Sequence, residues 1–163
     1  MNSQQAAFYR QSNSDWRLFA ELGNRSAREG CHELHYLQMA TEKLAKAFLW
    51  GTRTPPRQTH VSLVQFLRRI GSSRRVRDAL QFTRQEQLAA WVQAVLPLAY
   101  AIERSAPDLA GDGPNPEYPW PRDMPETAPV DYDFPAVHEL ATARGRQFVE
   151  LIGRLMMTFE AWA

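Results

Sequence analysis

The chain has 163 residues, 44% of them hydrophobic, which suits a single domain with one core. Its formal net charge of +1 excludes a strong overall attraction to nucleic acids or membranes. The single cysteine, Cys31, excludes an intramolecular disulfide, and residues 1–16 lack the basic and apolar regions of a secretory signal. The most apolar stretch, residues 88–102, is shorter than the ~20 residues that a membrane-spanning helix needs. We therefore expect a soluble, cytoplasmic protein.

Helical periodicity begins near the start of the chain. Apolar residues between positions 4 and 22 fall roughly on one face, which predicts a first helix, although Ser12-Asn13-Ser14 weakens its middle. The strongest pattern follows at residues 27–50, where apolar side chains recur at spacings of three and four and Gly51 is a suitable stop. The buried stripe of this second helix is predicted to comprise Leu34, Leu37, Thr41, Leu44 and Phe48.

The face opposite that stripe is polar. It carries Arg28, His32, His35, Gln38, Glu42 and Lys46. Two interpretations stay open. The first is an ordinary solvated face, and the second is a polar groove in which Glu42 and Lys46 orient an arginine that binds phosphate.

Shorter helices are predicted at residues 60–70 and 74–82. A longer helix is predicted at residues 84–104, with Thr83 and Glu86 at the spacing of a capping box. Pro97 lies inside this longer helix and is expected to kink or split it.

Residues 105–135 differ in kind, because they hold eight of the eleven prolines and predict a long loop. Tyr118 and Trp120 either anchor this loop to the body of the protein or stack on nucleic-acid bases, and the anchoring role is favoured. A last helix is predicted at residues 136–162. Arg144 falls in its apolar register, so we expect it to need a partner such as Glu42 or an acid of the loop.

Charge is distributed unevenly. Between residues 51 and 84 the chain has eight arginines and one acid, Asp78, whereas residues 105–135 have seven acids and one base, Arg122. Either the two segments neutralise each other in the fold, or the arginines form a basic binding face. Under the second interpretation, the candidate phosphate-binding residues are Lys46, Arg57, Arg68, Arg69, Arg74, Arg75 and Arg77.

Residues 32–49 resemble the second helix of the HEPN domains, which carries the pattern Q-x-A-x-E-K-x-x-K-A-x-L. That pattern is filled in register by Gln38, Ala40, Glu42, Lys43, Lys46, Ala47 and Leu49. Residues 59–63, Thr-His-Val-Ser-Leu, match the T-H-x-x-L start of that family's third helix. The run N-P-E-Y-P-W at residues 115–120 is similar to a loop in some relatives.

The resemblance implies a small helical bundle that often dimerises. Some members are metal-independent ribonuclease toxins, and others are non-catalytic partners of minimal nucleotidyltransferases. The catalytic members carry an arginine, four to six residues and a histidine on a late helix, but here no histidine follows Arg144, Arg146 or Arg154. Pairs at the catalytic spacing occur earlier, as Arg53 with His60 and as Arg25 with His32.

The sequence thus predicts a single all-α domain over residues 1–163, an up-and-down bundle of four to five helices. We expect a HEPN-type module that binds a nucleotide, RNA or a nucleotidyltransferase partner, within a bacterial defence or toxin–antitoxin system. The alternatives are a ribonuclease using Arg53 and His60, and a structural dimer without a ligand. We also expect a homodimer, an antitoxin as another candidate partner, and no cofactor. The spacing of Cys31, His32, His35 and His60 does not suit a metal site.

Overall fold

The computed structural model describes residues 1–24, 29–52 and 61–163. Within these ranges the chain is helical, with one isolated bridge between Trp120 and Thr127 and no strand, so the predicted all-α bundle is confirmed. None of the helices in these ranges is long and apolar enough to cross a membrane. The helices are α1 (Ser3–Gly23), α2 (Gly30–Trp50), α3 (Leu63–Ile70), α4 (Arg74–Ala79), α5 (Gln85–Arg104), α6 (Pro107–Ala110), α7 (Pro135–Leu140), α8 (Ala143–Met157) and α9 (Phe159–Trp162).

Helices α1 and α2 form an antiparallel hairpin. A capping box between Asn2 and Gln5 starts α1, which satisfies N–H groups that have no partner within the helix. The serine and asparagine triplet does not interrupt α1, because the Ser12 hydroxyl donates to the carbonyl of Ala40 at 2.7 Å. The inward face of α1 is therefore partly polar, which its apolar pattern did not predict.

The core lies around α2, against which α3 and α5 pack, and α8 packs its apolar face against α5. Leu34, Leu37 and Leu44 are fully buried, and each such side chain stabilises the fold by about 1.5–3 kcal/mol through its burial. At one end, α9 closes the core with aromatic rings, since Trp162 lies 5.8 Å from Phe48 between ring centroids.

The start of α5 differs from the prediction. The helix begins one residue later than expected, and Gln87 takes the place of Glu86 in the cap. The Gln87 Oε1 atom accepts from the Thr83 hydroxyl at 2.8 Å and from the N–H of Arg84 at 3.1 Å. Pro97 lies inside α5 with its ring exposed, and the helix continues through it unsplit.

The prediction of a single last helix is wrong, because the chain turns after α7 and a new helix, α8, begins at Ala143. The Thr142 hydroxyl accepts from the N–H of Gly145 at 3.1 Å and so caps α8. The turn changes the register, and Arg144 lies outside the core with 53% of its side chain exposed. Its partner is Glu139 at 3.5 Å, and neither Glu42 nor an acid of the loop.

The loop of residues 105–135 is attached to the body by aromatic packing. Trp120 is 8% exposed, and its ring centroid lies 5.3 Å from Tyr132 and 6.3 Å from Phe134. The anchoring role predicted for Trp120 is confirmed. The same prediction is wrong for Tyr118, which is 59% exposed, because it follows a turn that points it away from the core.

The corner between α7 and α8 generates a prediction. A Cβ atom on Gly145 would lie 2.1 Å from the Glu139 carbonyl oxygen and 2.4 Å from the Leu140 Cα atom, and neither backbone atom can move without opening the corner. We expect Gly145→Ala to lower the free energy of unfolding by at least about 2 kcal/mol, measured by urea denaturation.

Gly153→Ala is the matched control on the same helix. Its added Cβ would make an ordinary contact with the Trp16 ring at 3.4 Å, and alanine favours the helix by about 0.5–1 kcal/mol over glycine. Equal unfolding free energies for the two variants would show that the close approach at Gly145 does not constrain the corner.

Candidate functional site

The polar face of α2 is covered by other parts of the chain. Gln38 is 2% exposed and Glu42 is 7% exposed, so the interpretation of this face as an ordinary solvated surface is wrong for its centre. The start of α3, the end of α5 and residues 115–117 of the loop supply the neighbouring polar groups. The result is a partly enclosed set of polar side chains along α2, which we call the polar groove.

Glu42 and Lys46 form the ion pair that their spacing predicts. The Lys46 Nζ atom lies 2.5 Å from the Glu42 Oε1 atom, and the lysine side chain is 15% exposed. Partial burial strengthens the Coulomb attraction between the two charges, because fewer water molecules screen them, and this attraction offsets the cost of removing the charges from water. Lys46, a predicted phosphate ligand, therefore has an acidic partner within its own helix.

Glu103 enters the groove from the last turn of α5. It is 5% exposed, and its Oε2 atom accepts from the N–H of Val64 at 3.0 Å. The Ser62 side chain does not cap α3. The Glu103 carboxylate of α5 instead accepts from an N–H group in the first turn of α3.

The pKa of Glu103 is raised above its ordinary value. Burial is the largest cause, and the negative charge of Glu42 adds to it. The N–H groups of Val64 and Leu63 and the Arg68 guanidinium oppose this rise in the pKa. Glu42 and Arg68 are thus both close enough to Glu103 to act on the pKa of its carboxyl group.

The loop brings a further carboxylate to the other end of the groove. Asn115 is 4% exposed, and its Oδ1 atom accepts from the N–H groups of Glu117 at 3.1 Å and Tyr118 at 2.8 Å. This turn places Glu117 Oε1 at 3.5 Å from His35 Nδ1, within the range of an ion pair but without hydrogen-bond geometry. Both amide atoms of Gln38 are enclosed and have no hydrogen-bond partner in the described ranges.

The predicted basic residues occupy α3 and α4. Arg68, Arg69, Arg74 and Arg75 are exposed, because the other faces of these short helices carry buried residues such as Phe66, Ile70 and Val76. We call these four arginines the basic surface.

The four arginines differ in the contacts that their guanidinium groups make. The Arg68 Nη2 atom donates to the Tyr100 hydroxyl at 2.6 Å, and its guanidinium lies 5.6 Å from the centre of that ring. Arg74 lies 4.0 Å from Asp78, but the closer partner of Asp78 is Arg77, at 2.5 Å. Arg77 is only 22% exposed and is therefore a weaker candidate for a ligand contact.

The four arginines of the basic surface make no direct ion pair with the acidic loop in the described ranges. In residues 61–163, no ion pair joins any of the four arginines to an acid of residues 105–135. The charge of these four arginines therefore lies at the surface without a direct ion pair to the loop.

Several predicted site residues lie outside the described ranges: Arg25, Arg53, Arg57 and His60. His32 is described, and its Nδ1 atom lies 2.7 Å from Glu29. Within residues 1–24, 29–52 and 61–163, no three histidine, cysteine, aspartate or glutamate side chains come together as a set of metal ligands.

Two carboxylates of the groove were missed by the sequence interpretation. Glu103 lies four residues after Ala99 and seven after Leu96, within the apolar stripe of α5, and an acid at that position signals a buried carboxylate. Glu117 carried no comparable signal, because its contact with α2 depends on the course of the loop.

No protein-family model, curated protein or solved structure matches the chain.

The raised pKa of Glu103 generates a prediction about stability and pH. When a carboxyl group has a higher pKa in the folded protein, its contribution to stability is complete below the unfolded pKa of about 4.3 and is lost as the pH rises through the folded value. Glutamine retains an acceptor for the Val64 N–H but does not titrate. We expect Glu103→Gln to gain stability relative to the wild type between about pH 4 and about pH 7.

Urea denaturation across this pH range measures the difference. Glu86→Gln, which removes an exposed carboxylate from the same helix, is the control. A stability difference between Glu103→Gln and the wild type that stays constant with pH would contradict the proposed effect of burial.

Proposed function

We propose that this protein is a HEPN-type helical module that binds RNA or a nucleotide through its basic surface. The observation that carries the proposal is the exposure of four arginines on two consecutive short helices, none of which forms a direct ion pair with the acidic loop in the described ranges. Guanidinium groups match the geometry of phosphate oxygens and remain charged at every physiological pH.

The surroundings of Arg68 favour a nucleic-acid ligand over free phosphate. Tyr100 is 40% exposed beside this guanidinium, so an aromatic ring and a cation are presented together. Aromatic rings stack on unpaired bases, and arginines bind the adjoining phosphates. Single-stranded RNA is therefore the form that we expect the basic surface to bind best.

The wider role rests on the resemblance of residues 32–49 to HEPN domains. On that ground we place the module in a bacterial defence or toxin–antitoxin system, with a minimal nucleotidyltransferase or an antitoxin as its protein partner. Its cytoplasmic location is part of the same proposal.

We expect replacement of both Arg74 and Arg75 by alanine to weaken binding of a short single-stranded RNA and to make binding less sensitive to salt. For single strands, the slope of log affinity against log salt falls by about 0.7 for each phosphate that the variant no longer neutralises. Fluorescence anisotropy at several salt concentrations measures both quantities. Stability should change by less than about 1 kcal/mol, because exposed charges contribute little.

The matched control replaces Arg10 and Arg17, two exposed arginines of α1, and so removes the same charge from another surface. Equal loss of affinity in the two double variants would show that only net charge matters. The RNA should be recovered intact without added metal. Metal-free cleavage that His60→Ala abolishes would establish the ribonuclease alternative instead.

We also propose a homodimer, for which the resemblance is the support. Light scattering of the purified protein at micromolar concentration should give twice the mass of the 18.7 kDa chain. A mass equal to one chain over the whole concentration range would contradict the dimer and leave RNA binding as a property of the monomer.

A further inference from the structure

A cavity of about 560 Å³ lies where the end of α1, the first turn of α2, α7 and α8 meet. Its volume falls in the range of about 300–1,000 Å³ that is typical of small-molecule sites. Apolar side chains from three of these helices form much of its wall: Phe19, Val137, Leu140 and Val149. It shares no residue with the basic surface or with the polar groove.

Two carboxylates, those of Glu33 and Glu150, line this cavity, and the carboxylate of Glu33 is the buried one. Glu33 is 6% exposed, and its Oε2 atom is enclosed with no hydrogen-bond partner. Within the described ranges, neither oxygen of this carboxylate makes a hydrogen bond or an ion pair. Leaving a buried carboxylate unpaired is costly, because removal from water is not offset by any donor.

Arg146, whose side chain also lines the cavity, does not pair with Glu33. Arg146 is exposed, and its Nη1 atom donates to the carbonyl of Ala141 at 2.7 Å at the end of α7. The other rim carboxylate, Glu150, lies 3.8 Å from Arg154. The charge of Glu33 is therefore left to be matched by a group from outside these elements.

The backbone around Glu33 also leaves room for a cation. Gly23 ends α1 beside the carboxylate, and a Cβ atom there would lie 3.8 Å from the Glu33 Oε1 atom. The last turn of α1 contains no basic residue; the Asn24 Nδ2 atom donates to the carbonyl of Ala20 at 2.9 Å, and no cationic side chain of this turn offsets the partial negative charge of the helix end.

We propose that this cavity binds an ammonium or guanidinium group carried on an apolar chain, with the cation at Glu33 and the chain against the apolar wall. Two kinds of molecule carry such a cation on an apolar chain: a free small amine and a protein with a basic side chain. The proposal is independent of RNA binding, since the two surfaces have no residue in common.

n-Hexylamine and 1-hexanol are suitable probes, because they share a six-carbon chain and differ in charge at neutral pH. We expect millimolar n-hexylamine to bind the wild type and raise its melting temperature, and 1-hexanol to bind more weakly. Glu33→Gln should weaken the affinity for n-hexylamine about tenfold or more, because an interaction with a charged partner is lost. Isothermal titration calorimetry measures the affinities.

Two variants control this experiment. Glu29→Gln removes an exposed carboxylate four residues away and should leave amine binding unchanged. Val149→Phe narrows the cavity from α8 while it retains Glu33, and it should weaken n-hexylamine binding by a separate route. The variant lacking Arg74 and Arg75 should bind the amine as the wild type does, which separates this proposal from the proposed RNA binding.

Nα-acetyl-lysine N-methylamide distinguishes the two sources of the cation. Binding of this compound as tight as that of n-hexylamine identifies a basic side chain of a protein, and binding of n-hexylamine alone identifies a free amine. The proposal is overturned if the wild type binds no amine at millimolar concentration, if 1-hexanol binds equally well, or if Glu33→Gln leaves amine affinity unchanged.

Discussion

The enclosure of α2 is the constraint on which the rest of the structure depends. A buried polar group without a partner costs about 1–3 kcal/mol, so contacts from other elements stabilise the buried polar groups of this helix that they reach. Lys43 reaches Asp15 of α1 at 2.7 Å, and the carbonyl of Ala40 receives the Ser12 hydroxyl. These contacts help to set the position of α1 along α2, because both are directional; the hydrogen bond of Ser12 is buried and the ion pair of Lys43 is partly buried.

Buried polar groups also find partners where α3, α5 and the loop meet α2. Glu103 holds the start of α3 against α5, and Glu117 brings the loop to His35. The loop is attached a second time by the aromatic cluster around Trp120. Polar contacts thus determine where α3 and the loop lie, while apolar burial supplies most of the stability.

Charge is segregated as a result of this arrangement. Asp15, Glu33, Glu42 and Glu103 are buried acids, whereas the arginines of α3 and α4 are exposed. The net charge of +1 is thus the sum of a cationic surface on α3 and α4, largely acidic buried charges and the remaining exposed charges. This segregation supports two separate proposals, an RNA-binding surface on α3 and α4 and an amine site at Glu33.

The sequence by itself determined the elements whose signals are local. The 3,4 spacing of Leu34, Leu37 and Leu44 predicted α2, Gly51 ended it, and the exposed arginines followed from the apolar face of α3. The break between α7 and α8, the positions of Arg144 and Tyr118, and the contacts of Glu103 and Glu117 were decided by the tertiary structure alone. Each depends on the close approach of segments distant in sequence or on a tight corner, and periodicity along one helix contains no information about either.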